Sequence, residues 1–122
     1  MNRRLNLSRE PTYQDLLRLQ KSKGSYTVVV RPSGYTARGM EVLYDTAREL
    51  PRHRFVLVVE ARSYRQGVVE QSGRLQKLRN VFIGYVGIEG KTPSFKKVRE
   101  AYAELTRRAT PSPSLEVETG EG

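Results

Sequence analysis

The sequence predicts an α/β fold: a small three-layer, Rossmann-like βαβαβ unit with a parallel sheet of three strands and helices flanking it. Three observations lead there. The runs Tyr26-Thr-Val-Val-Val-Arg31, Arg54-Phe-Val-Leu-Val-Val-Glu60 and Asn80-Val-Phe-Ile-Gly-Tyr-Val86 are short, rich in β-branched residues and nearly continuous rather than alternating. Strands buried on both faces read this way, and they belong to parallel sheets. Between and around these runs, apolar residues recur at the three-to-four spacing of helices.

The first element is a helix. Thr12-Tyr-Gln-Asp15 has the form of a capping box above a stripe of Tyr13, Leu16 and Leu17, and Gly24 is a stop before the first strand. After that strand, Met40, Leu43, Ala47 and Leu50 define a second helix, with Thr36 as cap and Pro51 as terminator. Val68, Val69, Ser72, Leu75 and Leu78 give a weaker third stripe, interrupted by Gly73. Beyond the last strand, Thr92-Pro93 supplies a cap and a first-turn proline. Phe95, Val98, Ala101 or Tyr102, and Leu105 then form an inward stripe. The order helix, strand, helix, strand, helix, strand, helix makes a right-handed βαβαβ unit with an extra helix at each end.

Composition bounds the function. The chain has 122 residues, 22 Lys and Arg against 13 Asp and Glu, and no cysteine or tryptophan. This is the size of one domain, which excludes Cys-based catalysis, Cys-ligated metals and disulfide scaffolds. No apolar run approaches the roughly 20 residues of a membrane span, and the first residues lack a signal-peptide core; the protein is expected to be cytoplasmic. Glu116, Glu118 and Glu121 put −3 in residues 111–122, so the remaining body carries +12 of the net +9. We expect residues 1–110 to form the domain and 111–122 an acidic, mobile tail, although Leu115 and Val117 alternating with glutamates also suit a short edge strand.

In parallel sheets, ligands bind beyond the carboxyl ends of the strands. The loops expected there bring Arg31, Arg38, Arg62, Arg65 and Lys91 to one edge, with Ser33, Gly34, Thr36, Gly39 and the free amides of helix starts. Helix N-termini and arginine forks together suit phosphate. Tyr35 and Tyr64 lie among these arginines, where an exposed ring can stack on a base. The other tyrosines, Tyr13, Tyr26, Tyr44, Tyr85 and Tyr102, are expected in the core. The opposite edge also carries Lys21, Lys23, Arg52, Arg54 and Arg79, so surface solvation accounts for much of the charge.

Catalytic constellations are sparse. The loop Arg31–Gly39 matches neither Gly-x-Gly-x-x-Gly nor a Walker loop. Glu60 closes the second strand, where a dinucleotide fold places its ribose-binding acid, and Glu60 and Glu89 could form a carboxylate pair. His53, the single histidine, falls in a turn and reads as a solvated residue. No residue set implies a metal or a cofactor.

Three segments in order resemble the C-terminal, nucleotide-sugar-binding half of GT-B retaining glycosyltransferases. They are Val28-Val-Val-Arg31-Pro with Ala37-Arg38-Gly39, then Glu49-Leu-Pro51 with Arg54-Phe-Val-Leu-Val-Val59, then Leu78-Arg-Asn-Val-Phe-Ile-Gly84. The likeness spans about residues 26–87. It implies that Arg31 and Arg38 hold the diphosphate of a nucleotide sugar. The family's acidic gripping segment and its acceptor domain have no counterpart, so a complete site would need a partner domain. The classes carried forward are a domain binding a nucleotide or nucleotide sugar, a basic nucleic-acid-binding module, and an assembly protein pairing as a homodimer through a sheet edge.

Overall fold

A computed structural model describes residues 2–87, 93–110 and 116–119. Five strands and four α-helices alternate: β1 Asn2–Leu7, α1 Tyr13–Lys21, β2 Ser25–Val30, α2 Ala37–Glu49, β3 Arg54–Glu60, α3 Gln66–Leu75, β4 Val81–Val86, α4 Phe95–Ala109 and β5 Glu116–Thr119. A 3-10 turn, Ala61–Ser63, follows β3. The strands form one parallel sheet in the order β4-β3-β2-β1-β5.

The predicted class holds, with two strands added to the expected three. The first addition, β1, lies inside the sheet between β2 and the edge strand β5, with Leu5 opposite Val28 and Leu7 opposite Val30. The second comes from the acidic segment expected to be mobile: Glu116–Thr119 pair with β1 in register Arg3 to Glu116.

Side-chain alternation along the strands divides the core in two. Leu5, Leu7, Val28, Val30, Phe55, Leu57 and Val59 face α1, α2 and α3, packing on Leu19, Met40, Leu43, Ala47, Val68 and Leu75. Val29, Val56 and Val58 face the other way, against Tyr102, Leu105 and Ala109 of α4. One face therefore carries three helices and the other carries one.

The helix ends follow local chemistry. At α1 the Thr12 N–H donates to Asp15 at 2.8 Å, closing the predicted capping box, and Arg9 grips the same buried carboxylate through both terminal nitrogens at 2.7 and 3.1 Å. Thr36 caps α2, its hydroxyl accepting from the Gly39 N–H at 2.9 Å. The α4 cap is Ser94, accepting from the Lys97 N–H at 3.2 Å, rather than Thr92, which lies outside the described residues.

Two core assignments change. His53 is fully buried rather than solvated: its Nδ1 accepts the Tyr26 N–H at 2.9 Å, and its Nε2 lies 3.1 Å from the Leu19 carbonyl, to which it donates. The Pro51-Arg52-His53 turn tucks the ring beneath the sheet's amino edge, where it links the start of β2 to the last turn of α1. Tyr13 and Leu17 are exposed, because α1 turns Leu19 inward instead.

Candidate functional site

Parallel strands bring all their carboxyl ends to one edge. The segment after β3 leads to α3 on the three-helix face, whereas α4, next in the chain after the neighbouring β4, packs on the other face. Adjacent connections that diverge to opposite faces open a crevice at the strand ends. A cleft of about 330 Å³ lies there, lined by Arg31, Pro32, Glu60, Arg62, Pro93, Phe95, Val98 and Tyr102.

Each lining group is placed by the local fold. Arg31 continues β2 two residues beyond Val29, so alternation puts it on the α4 face, and its guanidinium stacks 4.7 Å above the Tyr102 ring. Its own N–H donates to the Leu7 carbonyl at 2.8 Å, tying the loop start to β1. Glu60 ends β3, and the 3-10 turn swings Arg62 back to pair with it at 3.2 Å, leaving the Arg62 side chain exposed. Phe95 was expected in the inward stripe of α4. It is instead 75% exposed, because the first turn of α4 overhangs the strand ends and has no sheet beneath it. The ring forms one wall of the cleft, with Arg99 5.4 Å from its centre.

Tyr102, which lines the cleft, belongs to a buried tyrosine pair. Tyr35, from the three-helix side, and Tyr102, from α4, both reach the Val30 carbonyl, at 3.0 and 2.6 Å, and their hydroxyls lie 3.2 Å apart. Burial raises both phenols above the ordinary tyrosine value, Tyr35 well above it, so both remain protonated donors. Tyr35 is therefore not the base-stacking residue that the sequence predicts. It is buried and holds the end of β2, whereas Phe95 offers the open ring.

The helix start at Thr36–Gly39, the expected phosphate cradle, already carries an anion of its own. The Glu10 carboxylate accepts from the Thr36 N–H at 3.2 Å and from the Thr36 hydroxyl at 3.0 Å, and it lies so close to Gly39 that a Cβ there would collide with it. Burial raises the Glu10 carboxyl above its usual value, while the bonds from Thr36 act against that rise. Arg38 is exposed in the first turn of α2 and does not line the cleft with Arg31. Ser33 and Gly34 are exposed in the loop before α2, and a methyl group on Gly34 would find ordinary contact only. Arg65 precedes α3 as its N-cap without a side-chain capping bond. Tyr64, partly exposed, meets Tyr85 edge-on at 6.2 Å. Lys91 and Glu89 lie outside the described residues. Of the predicted residues, the structure brings together Arg31, Arg62 and the strand-end acid Glu60, and adds Phe95 and Tyr102.

Three polar residues near this edge escaped the sequence reading, all because β1 was not anticipated. Arg4 and Asn6 stand on the α4 face of β1, with Arg4 Nε donating to Asn6 at 3.0 Å. Burial, and then the Arg31 charge, lower the Arg4 guanidinium from its ordinary value, placing the two cations within electrostatic reach. Glu10 follows in the loop to α1. The alternation of Leu5 and Leu7 with Arg4 and Asn6 was the available signal.

Among the described residues no group of three or more His, Asp or Glu could hold a metal ion, and no helix is long and apolar enough to cross a membrane. No protein family, curated protein or solved structure matches the chain.

Proposed function

We propose that the protein is a nucleotide-binding domain whose ligand, a nucleoside phosphate or nucleotide sugar, enters the cleft between the strand ends and α4. One observation carries this reading: two arginines, a strand-end carboxylate and an exposed phenylalanine ring surround a single cleft of about 330 Å³ at the carboxyl edge. That volume lies at the small end of the roughly 300–1,000 Å³ range of ligand pockets. Arg31 and Arg62 would bind phosphate oxygens, Arg31 held by its stacking on Tyr102. Glu60 would accept from sugar hydroxyls, and Phe95 would stack on the base.

The resemblance to a nucleotide-sugar-binding half points to the same ligand class, but its second diphosphate residue, Arg38, lies outside the cleft. The nucleic-acid reading gains less support. On the outer face of α4, Lys96 pairs with Glu100 and Arg107 with Glu104, which reduces the charge a polyanion would meet.

Titration calorimetry with uridine, guanosine and adenosine diphosphates tests the reading. We expect Arg31→Ala and Arg62→Ala each to weaken binding about tenfold or more, Phe95→Ala to weaken nucleotide but not inorganic phosphate, and Arg38→Ala to leave affinity unchanged. Absence of binding to the unmutated protein, or equal losses for Arg38→Ala and Arg31→Ala, would overturn it.

A further inference from the structure

Among the described residues β4 is one edge of the sheet, and it has the composition of an interior strand. Val81-Phe-Ile-Gly-Tyr-Val86 contains no charge and no proline, and it pairs with β3 without a bulge over its whole length. Edge strands usually carry such devices to block further pairing. Here both faces are unfinished instead. Phe82 and Val86 sit half-buried on the α4 side, Ile83 and Tyr85 half-buried on the other, and a depression of about 450 Å³ runs along Phe82, Ile83 and Tyr85 to Gln76, Leu105 and Arg108.

We propose that β4 pairs with β4 of a second copy of this chain, antiparallel about a two-fold axis through Gly84, extending two five-stranded sheets into one of ten. The strand is self-complementary in that register. A two-fold axis normal to the sheet keeps each face on its own side, so Phe82 opposes the second copy's Val86 and Ile83 opposes its Tyr85. Both pairs are apolar and lie on matching faces. Gly84 falls on the axis, and Leu105 of α4 lies against it, at 3.0 Å from where a Cβ would stand.

Leu105 thus brings α4 beside the axis, and the two α4 helices run antiparallel across it. Glu104 and Arg108 lie one turn apart on either side of that point, and Arg108 lines the depression. Each Arg108 then reaches the second copy's Glu104, which Arg107 of its own chain already holds at 2.6 Å, so that one carboxylate meets two cations on each side of the axis. This complementarity favours a second copy over an unrelated extended peptide, which would satisfy the strand alone.

Sedimentation of the full chain tests the proposal. We expect a monomer–dimer equilibrium in which Glu104→Arg and Arg108→Glu each weaken association about tenfold or more, while circular dichroism shows both variants folded. Mixing the two single variants should restore the dimer, because one then supplies two cations and the other two anions. Ile83→Lys should abolish it. A wild type that stays monomeric, oligomers growing beyond the dimer, or a mixture that fails to recombine would each overturn the assignment.

Discussion

His53 shows how one buried polar side chain binds the fold to pH. With Nδ1 accepting from Tyr26 and Nε2 donating to Leu19, the ring is satisfied only when neutral. Burial lowers its pKa, and the nearby Arg52 charge acts in the same direction. The folded state therefore binds a proton less readily than the unfolded chain, whose histidine titrates near 6.5. Stability from this residue is complete above that value and is lost as pH falls towards the folded pKa, by at most about 1.4 kcal/mol per pH unit. Urea unfolding at about pH 7.5 and about pH 5.5 should show the His53→Asn protein less stable at the higher pH and less affected by the change. Composition gave no sign of this role, because a histidine beside two arginines in a turn has the pattern of a solvated residue. What buries it is a position between the Tyr26 N–H at the start of β2 and the Leu19 carbonyl near the end of α1, which exists only after helix and strand have packed.

At the scale of elements, local signals were legible where they were self-contained. The Thr36 cap, the Thr12–Asp15 box and the valine-rich strands β2 and β3 depend on neighbours in sequence, and all were read correctly. Strand β1 was not, since Asn2–Leu7 buries only Leu5 and Leu7 and its remaining residues are polar. Missing it hid Arg4, Asn6 and Glu10, and so hid the anion already lying on the α2 start. Phe95 failed for the converse reason: its spacing was right, but the sheet ends before reaching it. Close helix contact gives the element-scale test. A Cβ on Gly67 would come within 2.7 Å of the Ala37 Cβ, where α3 begins against α2, whereas Gly73 has open space around it. We expect Gly67→Val to destabilise by about 1–3 kcal/mol, and Gly73→Ala to stabilise by about 0.5–1 kcal/mol, both measured as thermal midpoints.

For the whole molecule, the +9 charge is a cost of folding as well as an attraction for anions. Salt should raise the thermal midpoint by screening that self-repulsion. If Arg31 and Arg62 form an anion site, sulfate should raise it further than chloride at equal ionic strength, since binding to the folded state alone adds stability by mass action. The surplus over chloride should disappear in the Arg31→Ala/Arg62→Ala protein, and identical curves for the two salts in the unmutated protein would argue against the site. Charge was countable from the sequence, but its division between faces was not. That division follows from strand parity, which sends Arg31 towards α4 while the α2 start turns to Glu10.

The position of β1, between β2 and β5, also dictates an order of assembly. Strands β2 and β3 are joined by a single helix, so their pairing closes a short loop, whereas Arg3 meets Glu116, 113 residues further along. The entropy of closing a loop rises with its length, and widely separated contacts form slowly. During synthesis, then, one side of β1 waits open until β5 leaves the ribosome. The acidic segment is thus the closing step of folding, and its arrival ends the interval in which β1 could pair with another chain.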